Sequence, residues 1–233
     1  SHHKLQSNMI KGLIDKDHKV LVGIEHFSHL EQPDMDAYFK GELSEKDLIK
    51  TVKLNNFEDY KEQLWLPVRN GGWSFGLNAP RWLTGKINAV GYDLLSDIEK
   101  QVLPENFSIG SDAYKKRILD LFGGGGHGGE GFPGFDKFFQ AQSAWDDTSA
   151  DQLIKNHTEN PEAVIVVLFG DFHVSHGGGL PDRLSARGFD DYITISQSCG
   201  DNLGDKELIE LLGFNSDPAY GYRADFVRAV KCQ

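Results

Sequence analysis

The sequence runs to 233 residues, enough to bury one substantial core, so a single domain over 1–233 is expected. A formal net charge of −11, with no Lys/Arg-rich run, argues against binding nucleic acid by phosphate neutralisation. No stretch reaches the roughly 20 apolar residues that span a bilayer. The two cysteines, Cys199 and Cys232, lack the CxxC spacing of a zinc site, and whether they pair stays open.

The chain enters on a helix. Leu5, Met9, Ile10, Leu13 and Ile14 recur at helical spacing over His3–Ile14. Lys19–Glu25 (KVLVGIE) reads as a short buried strand that ends in the polar group Glu25, His26, Ser28 and His29. Pro33 opens a helix through Tyr38, and Ser44 to Asp47 caps another leading into Leu48–Val52. Phe57–Val68 is helical, and Trp73–Leu77 is a strand that ends at Asn78-Ala79-Pro80. Gly91–Gln101 and Ala113–Phe122 read as helices, and a Gly-rich flexible loop over residues 123–131 carries His127. That loop matches neither dinucleotide nor phosphate-loop spacing.

Phe135–Ile154 is a long helix with its aromatics on one side. Gln142 and Asp146 lie one turn apart on that same face, so a buried amide and carboxylate there require partners or form a site. Val164–Phe169 is a second strand buried on both faces. It runs into Gly170, Asp171 and His173, then His176 and Gly177-Gly178-Gly179, with Leu180–Leu184 able to open a helix. Asp191–Ser196 makes a fourth strand, Lys206–Leu212 a short helix, and Ala224–Val230 a terminal strand or helix. Tyr220–Tyr222 reads as surface loop. Helices alternating with short buried strands predict an α/β fold, a mostly parallel central sheet with helices on both faces.

Open α/β sheets bind ligands beyond the carboxyl ends of their strands. Pooling the residues there gives Glu25, His26, Asp171 and His173, with His2, His3, His127, Gln142 and Asp146 as neighbours. Carboxylate and imidazole with little thiol suit zinc, manganese or iron. They also suit acid–base work on a bound water. Haem fits as well, through a His or Tyr ligand and an abundance of Phe and Trp. His176 reads as a solvated loop residue. No G-x-S-x-G elbow supports a serine hydrolase.

The order and spacing of several segments resemble the ChaN-like haem-binding lipoproteins, in the wider group of Tiki and TraB metalloproteins and erythromycin esterases. His2-His3-Lys4-Leu5-Gln6 resembles an HHxxQ helix start. Gly23 to Phe27 with Gln32-Pro33 and Tyr38 resembles an EMF…QP…Y segment, with His26 in place of Met. Leu77–Pro80 resembles LNAP, and Leu121-Phe122 with His127 resembles LF..H. Ala141-Gln142 with Trp145 to Ala150 resembles AQ..WDETMA, and Gly170–His173 with Gly179–Arg183 resembles the GxGHv…GIPxR close.

The resemblance implies a haem- or iron-ligand-binding protein of the bacterial cell envelope, periplasmic or anchored at the outer membrane. Its ligand would lie at the strand ends, against His173, His127, His2, His3, Gln142, Asp146, Gly170 and Arg183, with a homodimer enclosing it. The alternative it implies is a Tiki-like hydrolase using manganese or zinc on Glu25 and His173. Relatives carry an upstream strand ending in G-E-x-H, expected at the sheet centre, before Ser1. The resemblance implies membrane attachment only through a lipid anchor, expected to lie outside this sequence. Trp65-Leu66-Pro67 stands where relatives carry a Tyr.

Overall fold

Val20, Leu21, Val22 and Ile24 are each 1% exposed or less. A strand so buried must be covered on both faces and paired on both edges. In the computed structural model, which describes residues 2–122, 132–201, 203–204, 216–217 and 219–230, this strand is β1 (Val20–Ser28). It lies between β2 (Trp73–Asn78) and β3 (Val164–Leu168), parallel to both. Helices flank the sheet, which is the α/β architecture the sequence predicts.

β1 runs past the expected end at Glu25. It keeps step with β3 from Val20↔Val164 to Ile24↔Leu168. Against β2 the step is lost: Ile24 pairs with Gly76, but the next pair is Ser28 with Asn78. The extra residues of β1 bulge, and a bulge turns side chains away from their regular alternation. Glu25 and His26 therefore lie half-buried within the strand rather than beyond it.

Two compact units divide the chain, the first comprising Ser1–Asn78, Gln152–Phe169 and Val230–Gln233, the second Ala79–Asp151 and Gly170–Ala229. In the first, α1 (His2–Ile14) and α4 (Phe57–Arg69) pack on each other and on β1. Ile10, Phe27, Met35 and Leu64 fill the space beneath them. Pro33 lies in the first turn of α2 (Gln32–Phe39), and the Ser44 hydroxyl caps α3 (Glu45–Val52) by accepting from the Asp47 N–H. Trp65 donates its indole N–H to the Tyr38 hydroxyl at 3.0 Å, and that hydroxyl donates to Glu45 at 2.9 Å. Trp65 is thus a packing and hydrogen-bonding residue of this unit.

The second unit holds α5 (Arg81–Val90), α6 (Asp97–Lys100), α7 (Asp112–Phe122) and α9 (Leu180–Ala186). It also holds the start of the long α8 (Phe135–Glu159), whose last turns belong to the first unit. The single helix expected over Gly91–Gln101 is two short pieces. Gly91, at φ 93°, ends α5 in a conformation that side-chain-bearing residues avoid, a 3-10 turn follows, and Ser96 opens α6 with a capping box to Glu99. The fourth strand begins later than expected, as β4 (Ile195–Cys199), and pairs with β7 (Phe226–Val230) rather than with the parallel sheet. Before it, the Asp225 carboxylate takes the Thr194 N–H and hydroxyl, each at 2.7 Å, in place of a strand partner. Within the expected surface loop, β6 (Gly221–Tyr222) pairs antiparallel with β5 (Ser216–Asp217). Cys199 is disulfide-bonded, while Cys232 and the expected helix at 206–212 lie outside the described residues.

Two outcomes follow from these contacts. A Cβ at Gly76 would stand 2.5 Å from the Ser28 carbonyl oxygen, which closes the bulge, so Gly76→Ala must displace backbone. It should lower stability by about 2–4 kcal/mol in urea unfolding. Lys86 and the Ser96 cap hold the Glu99 carboxyl down to about 2. A depressed acid stabilises the fold above its unfolded pKa and loses that contribution as pH falls through the folded one. Carbon-detected NMR titration should give Glu99 a midpoint near 2, returning towards the ordinary glutamate value in Lys86→Met.

Candidate functional site

The loop after β3 is built by local backbone requirements. Asp171–His173 forms a 3-10 turn and Ser175–Gly177 a second, with His176 left-handed at φ 59° within the latter. Gly177 and Gly179 are also left-handed, at φ 68° and 62°. Asp171 anchors one side of the loop by accepting from the Ser196 hydroxyl and from Arg223, both at 2.7 Å. The His176 N–H donates to the Arg223 carbonyl at 2.8 Å, and its ring Nδ1 lies 3.1 Å from the Gly221 carbonyl, so His176 is held rather than simply solvated.

This loop delivers His173 to the buried face of α8. The imidazole is 2% exposed and Asp146 is fully buried. His173 Nδ1 lies 2.6 Å from Asp146 Oδ1, and the Tyr114 hydroxyl donates to Asp146 Oδ2 at 2.9 Å. A carboxylate only accepts, so His173 donates from Nδ1. That bond fixes the tautomer of the neutral ring and makes Nε2 its basic nitrogen. Trp145 stacks nearly parallel to the imidazole, at 14° and 5.8 Å between ring centres, and the Phe172 ring centre lies 3.8 Å from it. Burial and the Asp146 carboxylate push the Tyr114 phenol far above its usual range, so it remains a donor.

Arg117 completes this corner. It is 4% exposed, no carboxylate pairs with it among the described residues, and burial lowers its pKa. One terminal nitrogen donates to the Phe172 carbonyl and the other to the Ser175 hydroxyl at 3.2 Å. Its guanidinium also lies over the Tyr114 ring.

A second polar group occupies the first unit, at the β1 bulge. The rings of His26 and His3 lie 4.4 and 4.7 Å from that of Tyr60 on α4. Gln63 donates to the His3 carbonyl at 3.1 Å, and Asn78 to the Glu25 carbonyl at 3.2 Å. Burial, then the charges of Glu25 and Asp59, raise the Tyr60 pKa. Burial, then the neighbouring His3, lowers that of His2.

The sequence-predicted residues thus fall into distinct settings. His173 and Asp146 are brought into direct contact, with Gln142 half-buried one turn earlier on α8. Glu25 and His3 belong to the first unit with His26, and Gly170 begins the turn that carries His173. Arg183 is 4% exposed and turned inward, pairing with Asp182 at 2.6 Å and donating to the Ile109 carbonyl at 2.7 Å. His127 lies outside the described residues. Among those described, no three His, Cys, Asp or Glu side chains are grouped to hold a metal ion, and no helix is long and apolar enough to cross a membrane. Tyr114 and Arg117 are not singled out by the sequence. Their signal is spacing, because with Ile118 they form the buried i, i+3, i+4 face of α7, and a cation on such a face needs a reason.

Comparison with known proteins agrees with this architecture. The family described as "Haem-binding uptake, Tiki superfamily, ChaN" matches residues 1–184. A solved structure titled "Cofacial heme binding to ChaN of Campylobacter jejuni" superposes with a TM-score of 0.62. It covers 86% of this chain and 77% of its own, at 17% identity. No curated protein matches the chain.

Tyr114→Phe tests the buried carboxylate. It removes one of the two donors to Asp146 and should cost about 1–3 kcal/mol in denaturant unfolding. Tyr114→Phe combined with Asp146→Ala should show clear non-additivity in a double-mutant cycle.

Proposed function

The chain belongs to the ChaN family of haem-binding uptake proteins in the Tiki superfamily, and we propose that it binds haem with His173 as the iron ligand. The observation that carries this reading is the Asp146–His173 hydrogen bond. A histidine that ligates a metal commonly gives its other ring N–H to a carboxylate, which orients the ring and strengthens the donor nitrogen. His173 Nε2 would hold the iron of a bound haem.

The surroundings fit an anionic, flat, apolar group. Trp145 and Phe172 flank the imidazole. Trp145, which stacks on the ring, and Arg117, which bonds Phe172, each have a buried donor without a partner among the described residues, Nε1 and Nε. Haem carries two carboxylates, which accept. At the β1 bulge Gln63 Oε1 and Asn78 Oδ1 are acceptors without a partner among the described residues, alongside His3 Nδ1, which can act either way. Because His173 is 2% exposed, the loop that carries it must yield for the ligand to enter. Location in the cell envelope and a ligand enclosed by a homodimer are parts of the same proposal, drawn from the family resemblance.

Haem titration of the full chain should produce a Soret band distinct from that of free haem. His173→Ala should weaken binding by about tenfold or more and shift the band. A normal band in His173→Ala, with the band lost in His26→Ala or Tyr60→Phe, would move the ligand to the β1 bulge. A wild-type spectrum identical to free haem would sink the haem reading.

A further inference from the structure

Arg117 is a buried cation with no carboxylate in ion-pair contact among the described residues, only the more distant charges of Asp146 and Asp171, and such burial is unfavourable unless its donors do something a hydrocarbon would not. It cannot escape by losing a proton in the neutral range. A methionine of similar volume would fill the same space without that penalty. What the guanidinium does is visible in its bonds. It grips the carbonyl of Phe172, the residue before His173, and the hydroxyl of Ser175, two residues after it. A planar fork holds two acceptors at a fixed angle, which the single point of a lysine ammonium does not.

The loop then closes over the same group. A Cβ at Gly178 would lie 3.0 Å from both Nε and one terminal nitrogen of Arg117, and 2.6 Å from the Tyr114 ring. A Cβ at Gly179 would lie 2.1 Å from the His173 carbonyl oxygen. The backbone from Phe172 to Gly178 is wound round the guanidinium as round a spool, with glycine where the winding is tightest. We infer that Arg117 is the positioning residue for His173, fixing the loop on both sides of the imidazole so that its Nε2 is presented in one orientation. The ordering of the loop stands on the geometry alone; its consequence for ligand binding rests on the haem reading.

The test compares the full chain with Arg117→Met and Arg117→Lys. Hydrogen–deuterium exchange of peptides covering 172–178 should quicken about tenfold or more in Arg117→Met while β1 peptides stay protected, with Arg117→Lys in between. Haem affinity should fall about tenfold to a hundredfold in Arg117→Met, with a broadened or shifted Soret band that Arg117→Lys partly restores. Unchanged loop exchange overturns the inference. So does faster exchange with an unaltered spectrum and affinity, because a residue that merely supports the fold behaves that way. If wild type itself gives no haem band, the haem reading fails and loop exchange alone decides whether Arg117 orders His173. Should Arg117→Met not fold, Ser175→Ala, which removes one acceptor only, takes its place with the same expected directions.

Discussion

The buried Asp146 carboxylate is the constraint on which the second unit depends. A charge taken fully out of water must be met by donors, and those donors have to come from elsewhere in the chain. Tyr114 comes from α7 and His173 from the loop after β3, so one side chain of α8 specifies where two other segments go. The same helix repeats the device. Asp147, also fully buried, accepts from Arg187 at 2.7 Å and from the Ser108 N–H at 3.3 Å, although burial still raises its pKa. Ser143 accepts from Gly110 and donates to Phe139. The inner face of α8 is a row of polar groups, each tied to a different segment. Loss of one partner leaves an unsatisfied charge rather than a smaller apolar contact.

How much of this could be read from the sequence divides along local and non-local lines. Two of the three parallel strands, β1 and β3, were legible because short apolar runs between helical patterns suit a buried strand, while β2 alternates apolar with small residues and ends at an Asn-Ala-Pro step. The need for partners at Asp146 was legible because a carboxylate lay on the aromatic side of a predicted helix. The identity of those partners was not, since Tyr114 and Arg117 approach only through tertiary packing. The bulge in β1 was hidden for a different reason. Glu25 and His26 look like the polar end of a strand, and only the pairing with β2 reveals that the backbone continues to Ser28. The pairing of β4 with β7 joins segments distant in sequence, and no periodicity announces such a partner. Over Gly91–Gln101 the punctuation was present as well, since the Ser96–Glu99 capping box starts a new helix inside the span read as one.

Two polar groups of opposite character emerge from one chain. The imidazole of His173 is bonded to the Asp146 carboxylate, and the Trp145 indole and the Arg117 guanidinium supply the donors of its unit. The bulge of β1 gathers carbonyl acceptors, a phenol and a carboxylate around two further imidazoles. Both contain histidine, so residue types alone cannot separate them. Hydrogen-bonding polarity does, because a ligand rich in acceptors is complementary to the first and not to the second.

The glycines at 178 and 179 carry a consequence for how this sequence can diverge. Neither position has room for even a methyl group, one because of a neighbouring helix and the other because of the loop's own carbonyl. Ser175 is fixed by its bond, and Phe172 by its ring packed on the His173 imidazole and on Phe122. Substitution in the winding is therefore channelled to half-buried Val174, since His176 is left-handed and bonded to Arg223 and Gly221. The surface of the loop can be retuned at that one place, while its length and path are held by the bonds to Arg117.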